Sequence, residues 1–135
     1  MSGCIFPKGN ICGKISLLKK HKFVGIFSMI GNIVKVTVDR PLGSYHPKHK
    51  DIYYPINYGY IEDIIAPDGE EQDAYILGVS EPIKEFVGRI IAIIHRFDDV
   101  EEKWVVAPED ASFTKDEIMQ QVEFQEKYFK SEIRM

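Results

Sequence analysis

Two short stretches of this chain concentrate oxygen ligands. The first is Asp68-Gly69-Glu70-Glu71-Gln72-Asp73, which follows a tyrosine-rich segment, Tyr54-Pro55-Ile56-Asn57-Tyr58-Gly59-Tyr60-Ile61. In extended backbone, residues two apart share a face, so Asp68 and Glu70 can converge. Gly69 lets the turn tighten, and Asp73 opens the next strand and can point to the same place. Crowded carboxylates repel one another unless a shared proton or a cation neutralises them. Three carboxylates with water suit magnesium, a hard ion that prefers oxygen ligands and usually arrives with phosphate. The same run also reads as a solvated acidic turn between strands. An EF-hand is excluded, because the glycine and the twelfth-position glutamate are not where that loop needs them. The second stretch is Asp98-Asp99-Val100-Glu101-Glu102-Lys103, a connection between two apolar strands. Taken alone it reads as a solvated loop. A barrel, however, could bring these strand ends together, and Lys103 would then compensate their charge or hold phosphate oxygens as a point charge.

The other polar candidates surround these two clusters. Tyr53, Tyr54, Tyr58 and Tyr60 are more phenols than packing requires. A phenol can donate a hydrogen bond to a phosphate oxygen, while an aromatic cross-strand ladder explains the same residues. His46-x-x-His49 lies within Tyr45-His46-Pro47-Lys48-His49-Lys50 and lacks the further ligands that zinc needs. It reads as a basic loop for an anion or as an ordinary exposed loop. His95, between Ile94 and Arg96 on a strand, reads as structural. Neither a Gly-x-Ser-x-Gly elbow nor a P-loop occurs.

The elements that must position these groups are mostly strands. Asn32–Val38 alternates apolar and polar residues, a half-buried strand. Pro41, Gly43, Ser44 and Pro47 mark a loop. Ile52–Ile61 is aromatic and β-branched, with Pro55 pointing to an edge or bulge. Ala66-Pro67-Asp68-Gly69 is a turn signature. Strands are predicted at Ala74–Val79, at Phe86–Phe97 with a bend or bulge at Gly88, and at Lys103–Ala107. Thr114 and Glu117 form a capping-box pattern, and Ile118, Val122 and Phe129 then recur at helical spacing. No helices separate the strands, so a parallel α/β sheet is excluded. The predicted fold is mainly β: an OB-like five-stranded antiparallel barrel with a C-terminal α-helix.

The 135 residues suit one domain, and the 44% hydrophobic and 28% charged content is that of a soluble globular chain. A net charge of −4 argues against a nucleic-acid partner, and no window approaches the apolar length of a membrane span. Residues 1–28 differ from the rest: they hold five lysines, both cysteines and no acid. Residues 29–135 set 12 basic residues against all 21 acidic ones. Residues 1–28 read as a targeting-like peptide, as a lysine-faced strand, or as a tail or gene-model extension ahead of a true start at Met29. The alternating pattern that begins after Met29 favours the third reading, which leaves residues 29–135 as the domain. Two cysteines outside the core give no disulfide framework, so the cytoplasm is the expected compartment.

The Tyr54–Ile61 strand followed by Asp68-Gly69-Glu70-x-x-Asp73 resembles the soluble family I inorganic pyrophosphatases. Their hallmark is Tyr-Pro-x-Asn-Tyr-Gly-Tyr/Phe-Ile leading to Asp-Gly-Asp-x-x-Asp. The resemblance runs from about Val36 to the C-terminus. It includes the acidic connection, the Lys103-Trp104-Val105-Val106-Ala107-Pro108 run and the Phe124–Lys130 segment, which is similar to the family's C-terminal helix with its Tyr-Lys pair. There are departures. Glu70 replaces the central aspartate, and the second cluster is two residues shorter before Lys103. Phe129 separates Tyr128 from Lys130. Asp39-Arg40-Pro41-Leu42-Gly43-Ser44 matches either the family's early Glu-x-Pro-x-Gly-Ser strand or, through Arg40, its later arginine.

The resemblance implies magnesium-dependent hydrolysis of inorganic pyrophosphate to two phosphates, by a homo-oligomer with an OB-like barrel. It implies metal ligation by Asp68, Asp73, Asp98 and Glu101, with Glu70 helping to deprotonate the attacking water and Asp73 essential to catalysis. Phosphate would be held by Tyr58, Lys103 and Tyr128, and by the basic loop through Arg40 or Lys48. The departures leave an alternative, a pyrophosphatase-like module that binds a phosphorylated ligand without turnover.

Overall fold

A computed structural model describes residues 29–97 and 101–135. The expectations for residues 1–28 and for Asp98 lie outside the described residues. Five strands, β1 (Ile33–Arg40), β2 (Asn57–Ile65), β3 (Glu71–Ile76), β4 (Glu85–Arg96) and β5 (Glu102–Ala107), lead into helix α1 (Lys115–Glu126) and a short strand β6 (Ser131–Arg134). Their order in the sheet is β1-β2-β3-β5-β4-β6, and β1 also pairs with β4, which closes the first five into a barrel. The twelve residues of β4 serve three neighbours. Its first half pairs with β1 (Val34↔Gly88), its second half with β5 (Ile93↔Trp104), and its end with β6 (Ile94↔Ile133).

Barrel closure corrects the all-antiparallel expectation. Strand direction cannot alternate around a closed ring of five, so one neighbouring pair must run parallel. That pair is β3–β5, with Ala74 opposite Trp104 and Ile76 opposite Val106. The other four pairings of the ring are antiparallel.

Two apolar clusters follow from strand alternation. Ala74, Ile76, Trp104 and Val106 join Val36, Ile61, Ile90 and Ile93 in the barrel interior. Tyr75, Leu77 and Val105 point the other way and join Tyr54, Tyr58, Ile94, Ile118 and Val122 beneath α1. Every residue of β5 is therefore buried, because the interior lies on one side and the helix layer on the other.

Several predicted details shift. The bulge in β4 falls between Ile90 and Ala92, not at Gly88, which stays in register with Val34. Pro55 delays β2 to Asn57, so Tyr53 makes only an isolated bridge to Tyr45. The Ala66–Gly69 turn forms as expected: the Gly69 N–H donates to the Ala66 carbonyl (2.9 Å), and Gly69 takes φ +90°, which suits glycine. The capping box is also present, with Thr114 Oγ1 accepting from the Glu117 N–H (3.1 Å) and Glu117 Oε1 from the Thr114 N–H (2.8 Å). The helix stops at Glu126, which leaves Tyr128 and Phe129 beyond it. The chain turns there because the Phe97 N–H donates to the Lys130 carbonyl (2.9 Å) and draws the following residues into β6.

Gly59 sits on β2 where β1 crosses close by, and a Cβ there would overlap the Thr37 carbonyl oxygen. Gly59→Ala is expected to cost about 3 kcal/mol, read as a lower urea midpoint with an unchanged slope.

Candidate active site

Several of the functional candidates meet at a cleft of about 580 Å³. Asp39 and Arg40 reach it from the end of β1, Tyr58 from the start of β2 and Asp73 from β3. Arg96 ends β4, and Glu101 and Lys103 open the β5 side. The loop after β1 adds His46, His49 and Asp51, and the end of α1 adds Gln125, with Tyr128 and Phe129 just past it.

The parallel pairing of β3 and β5 brings the two acidic stretches together. Because Ala74 faces Trp104, Asp73 and Lys103 are neighbours although 30 residues separate them. Lys103 Nζ lies 2.5 Å from Asp73 Oδ2 and 3.5 Å from Glu101 Oε2, and its side chain is almost wholly buried. The ammonium thus occupies the point between two carboxylates where positive charge is most stable. Tyr58 lies beneath two cations, with its ring centre 5.7 Å from Lys103 Nζ and 5.7 Å from Arg40 Cζ. Burial, and then the charge of Asp73, push the Tyr58 phenol well above its ordinary range. It therefore stays protonated and can donate to an anion.

A second layer sits behind the cleft. The Arg40 guanidinium donates to the Tyr54 hydroxyl (2.9 Å), which donates to Gln125 Oε1 (2.8 Å). Gln125 Nε2 donates to the Tyr75 hydroxyl (2.8 Å), which donates to Glu126 Oε2 (2.6 Å). Arg96 grips the same carboxylate with Nε to Oε1 (3.0 Å) and Nη2 to Oε2 (2.6 Å), and its Nη1 donates to Glu101 Oε1 (3.1 Å). Phe129 covers the Arg96 guanidinium at 3.8 Å. Burial works to lower the Arg96 pKa, but the bonds and charge of Glu126 outweigh it, and the group is held charged, above its ordinary value.

Of the residues singled out from sequence, the cleft gathers Arg40, Tyr58, Asp73, Glu101, Lys103 and Tyr128. Asp68, Glu70 and Lys48 do not line it and are exposed. Asp68 turns back on its own loop, with Oδ1 accepting from the Glu70 N–H (3.0 Å). Glu70 precedes Asp73 by three residues of extended chain, about 10 Å, so it stays at the hairpin tip beyond the Ile65–Glu71 pair. In the basic loop, the histidine rings line the cleft instead of Lys48, whose N–H donates to His46 Nδ1 (3.0 Å). Burial, then the charges of Arg40 and His49, hold His46 below its ordinary pKa. Among the described residues, no three His, Cys, Asp or Glu side chains cluster as a ready-made metal cage. His95 is structural in its contacts, with Nδ1 3.1 Å from Glu102 Oε2.

Sequence reasoning missed Arg96, Gln125 and Glu126. A signal existed for Glu126, which follows Ile118 and Val122 at steps of four and so falls on the buried face of α1. Arg96 is the charge that closes a long apolar run.

Solved structures share this architecture. An inorganic pyrophosphatase from Ehrlichia chaffeensis aligns over 78% of this chain and 86% of its own, at a TM-score of 0.60 and 15% identity. One from Helicobacter pylori aligns over 78% and 84%, at 0.55 and 16%. One from Neisseria gonorrhoeae aligns over 70% and 72%, at 0.52 and 20%. The fold is that of the inorganic pyrophosphatases. No family model and no curated protein matches the chain by sequence. At these identities the likeness is one of fold. Among the described residues, no helix is long and apolar enough to cross a membrane.

Two predictions follow from the site's electrostatics. Glu126→Ala leaves Arg96 buried beside one remaining carboxylate and is expected to cost about 3–5 kcal/mol, measured by urea unfolding. Asp39 is exposed at its outer edge, yet partial desolvation raises its pKa against the pull of Arg40, with Asp73 adding to the rise. A raised folded-state carboxyl pKa means that ionisation opposes folding, so stability from this group grows as pH falls through that value. Because solvent screens an exposed group, Asp39→Asn should melt only slightly higher than the parent at pH 7, and the difference should shrink toward pH 4 in thermal scans.

Proposed function

We propose that the cleft binds inorganic pyrophosphate and hydrolyses it to two phosphates with magnesium. The convergence of Asp73 and Glu101 on Lys103 carries this reading. Magnesium is usually held by one or two carboxylates plus substrate phosphates, not by an all-protein cage. Two adjacent carboxylates that already share a cation fit that mode, and Asp73 and Glu101 would hold the ion. When bound, it supplies Lewis-acid charge and lowers the pKa of a water.

The chain's own groups do the positioning, which dominates phosphoryl transfer. Lys103 and Arg40 offer cationic donors, and Tyr58 offers a neutral one. Tyr128, exposed at the rim, offers a second phenol to the ligand. Asp73, half-buried beside Lys103, accepts a proton as water attacks phosphorus. One P–O bond forms to the water oxygen and the bridging P–O bond breaks, so the second phosphate leaves with the bridging oxygen. With Glu70 at the hairpin tip, Asp73, beside Lys103 in the cleft, takes this role.

A second reading is a binding module without turnover. The engagement of Glu101 by Arg96, together with the exposure of Asp68 and Glu70, favours it.

With magnesium chloride, the purified protein should release phosphate from pyrophosphate, and Asp73→Asn should lower the rate about 100-fold or more. Equal rates for parent and variant would sink the hydrolase reading. Pyrophosphate-dependent thermal stabilisation without phosphate release would establish the binding module instead.

A further inference from the structure

Arg96 plays no part in the mechanism above, yet it is the most elaborately held cation in the cleft. Its side chain is 4% exposed, and that of its partner Glu126 is 0% exposed. Glu126 occupies one edge of the guanidinium through two hydrogen bonds, and Phe129 occupies one face. The orientation is therefore fixed before any ligand arrives. A guanidinium has five N–H donors, and the bonds to Glu126 and Glu101 use three. The remaining two, one on each terminal nitrogen, have no partner among the described residues, on a side chain that lines the cleft. A planar fork of this kind matches the oxygens of a phosphoryl group.

The hydrogen-bond chain through Tyr54, Gln125, Tyr75 and Glu126 also joins Arg96 to Arg40. Each hydroxyl in it accepts once and donates once, so its polarity runs one way, from Arg40 to the Glu126 carboxylate. The two arginines are thereby tied to one hydrogen-bond chain through the end of α1, and both line the cleft. Two fixed guanidinium groups in one cleft suit a ligand with two linked anionic groups.

We infer that Arg96 is a direct phosphoryl ligand, and that with Arg40 it holds a diphosphate anion in this cleft without a divalent metal. This rests on the reading of the cleft as a site for a phosphorylated ligand, but not on turnover. The incoming phosphoryl oxygens accept from the two open N–H groups, while Glu126 keeps the guanidinium in place. The ligand's charge is met by a preorganised cation, which avoids the cost of ordering a mobile side chain on binding.

Calorimetric titration of the full chain with pyrophosphate in EDTA tests this directly. The parent should bind, and orthophosphate, which reaches only one guanidinium, should bind at least 10-fold more weakly. Arg96→Lys keeps the charge but loses the fork and should weaken pyrophosphate binding at least 5-fold. Removing Arg96 alone would strand Glu126, so the double variant Arg96→Leu/Glu126→Leu removes the buried pair together. It should melt within a few degrees of the parent and bind at least 10-fold more weakly in EDTA. No parent binding in EDTA, or unchanged affinity in Arg96→Lys or in the folded double variant, overturns the inference. Arg96-dependent binding in EDTA without phosphate release in magnesium would sink the hydrolase reading and leave this one standing. Phosphate release with no effect of Arg96 on affinity would do the reverse.

Discussion

The Glu126 carboxylate is the point on which the molecule is organised. It is a charge at the end of α1 with almost no exposure to water, and it accepts hydrogen bonds from Arg96 at two atoms and from Tyr75. A buried ion pair of this kind repays its desolvation only when its geometry is good and its remaining lone pairs are satisfied. Both conditions hold here. The bonds locate the helix end against β3 and β4, and they orient the side chains that face the cleft. Apolar contacts from Ile118 and Val122 press the helix onto the barrel, but such contacts are non-directional. The polar bonds supply the register.

A ring of five strands supplies the second constraint. Its odd number forces one parallel pair, and that pair sets Asp73 beside Lys103. The most concentrated charge in the cleft is thus a product of topology more than of local sequence. Tyr58 reaches the same point because β2 pairs with β3 on the other side, with Tyr58 opposite Tyr75. The aromatic-ladder and phosphate-donor readings of the tyrosines prove compatible. Tyr54, Tyr58 and Tyr75 pack with Phe124 as a cluster, and Tyr58 still lines the cleft.

What was legible in the sequence was whatever depends on near neighbours. Alternation located β1, the apolar runs located β4 and β5, and Thr114 with Glu117 located the start of α1. Motif residues Tyr58, Asp73, Glu101 and Lys103 meet at one cleft, because each lies on or beside a regular strand whose face is fixed by period. The residues that escaped depend on distant partners. Nothing near Arg96 tells that Glu126 will neutralise it 30 positions later. The direction of Asp68 and Glu70 depends on a register shift in the hairpin between Ile61 and Ile65, which leaves no trace in an alternating pattern. Phe129 kept helical spacing, but β6 captures the chain just after it, and a pairing interaction overrides a periodic one.

The parallel β3–β5 joint has a consequence for how the molecule comes into being. The β1–β2, β2–β3 and β4–β5 pairings join consecutive strands, whereas β3–β5 unites segments on either side of β4 (Ala74 with Trp104) and β1–β4 closes the ring across a still longer span (Thr37 with Glu85). Loop-closure entropy delays such a contact until the intervening chain is ordered. Asp73 and Lys103 face each other across the β3–β5 joint. The paired charges of Asp73 and Lys103 are therefore brought together late, with the non-local pairings of the cylinder. An occupant bridging both edges would act as a clasp, tightening that joint and slowing its opening.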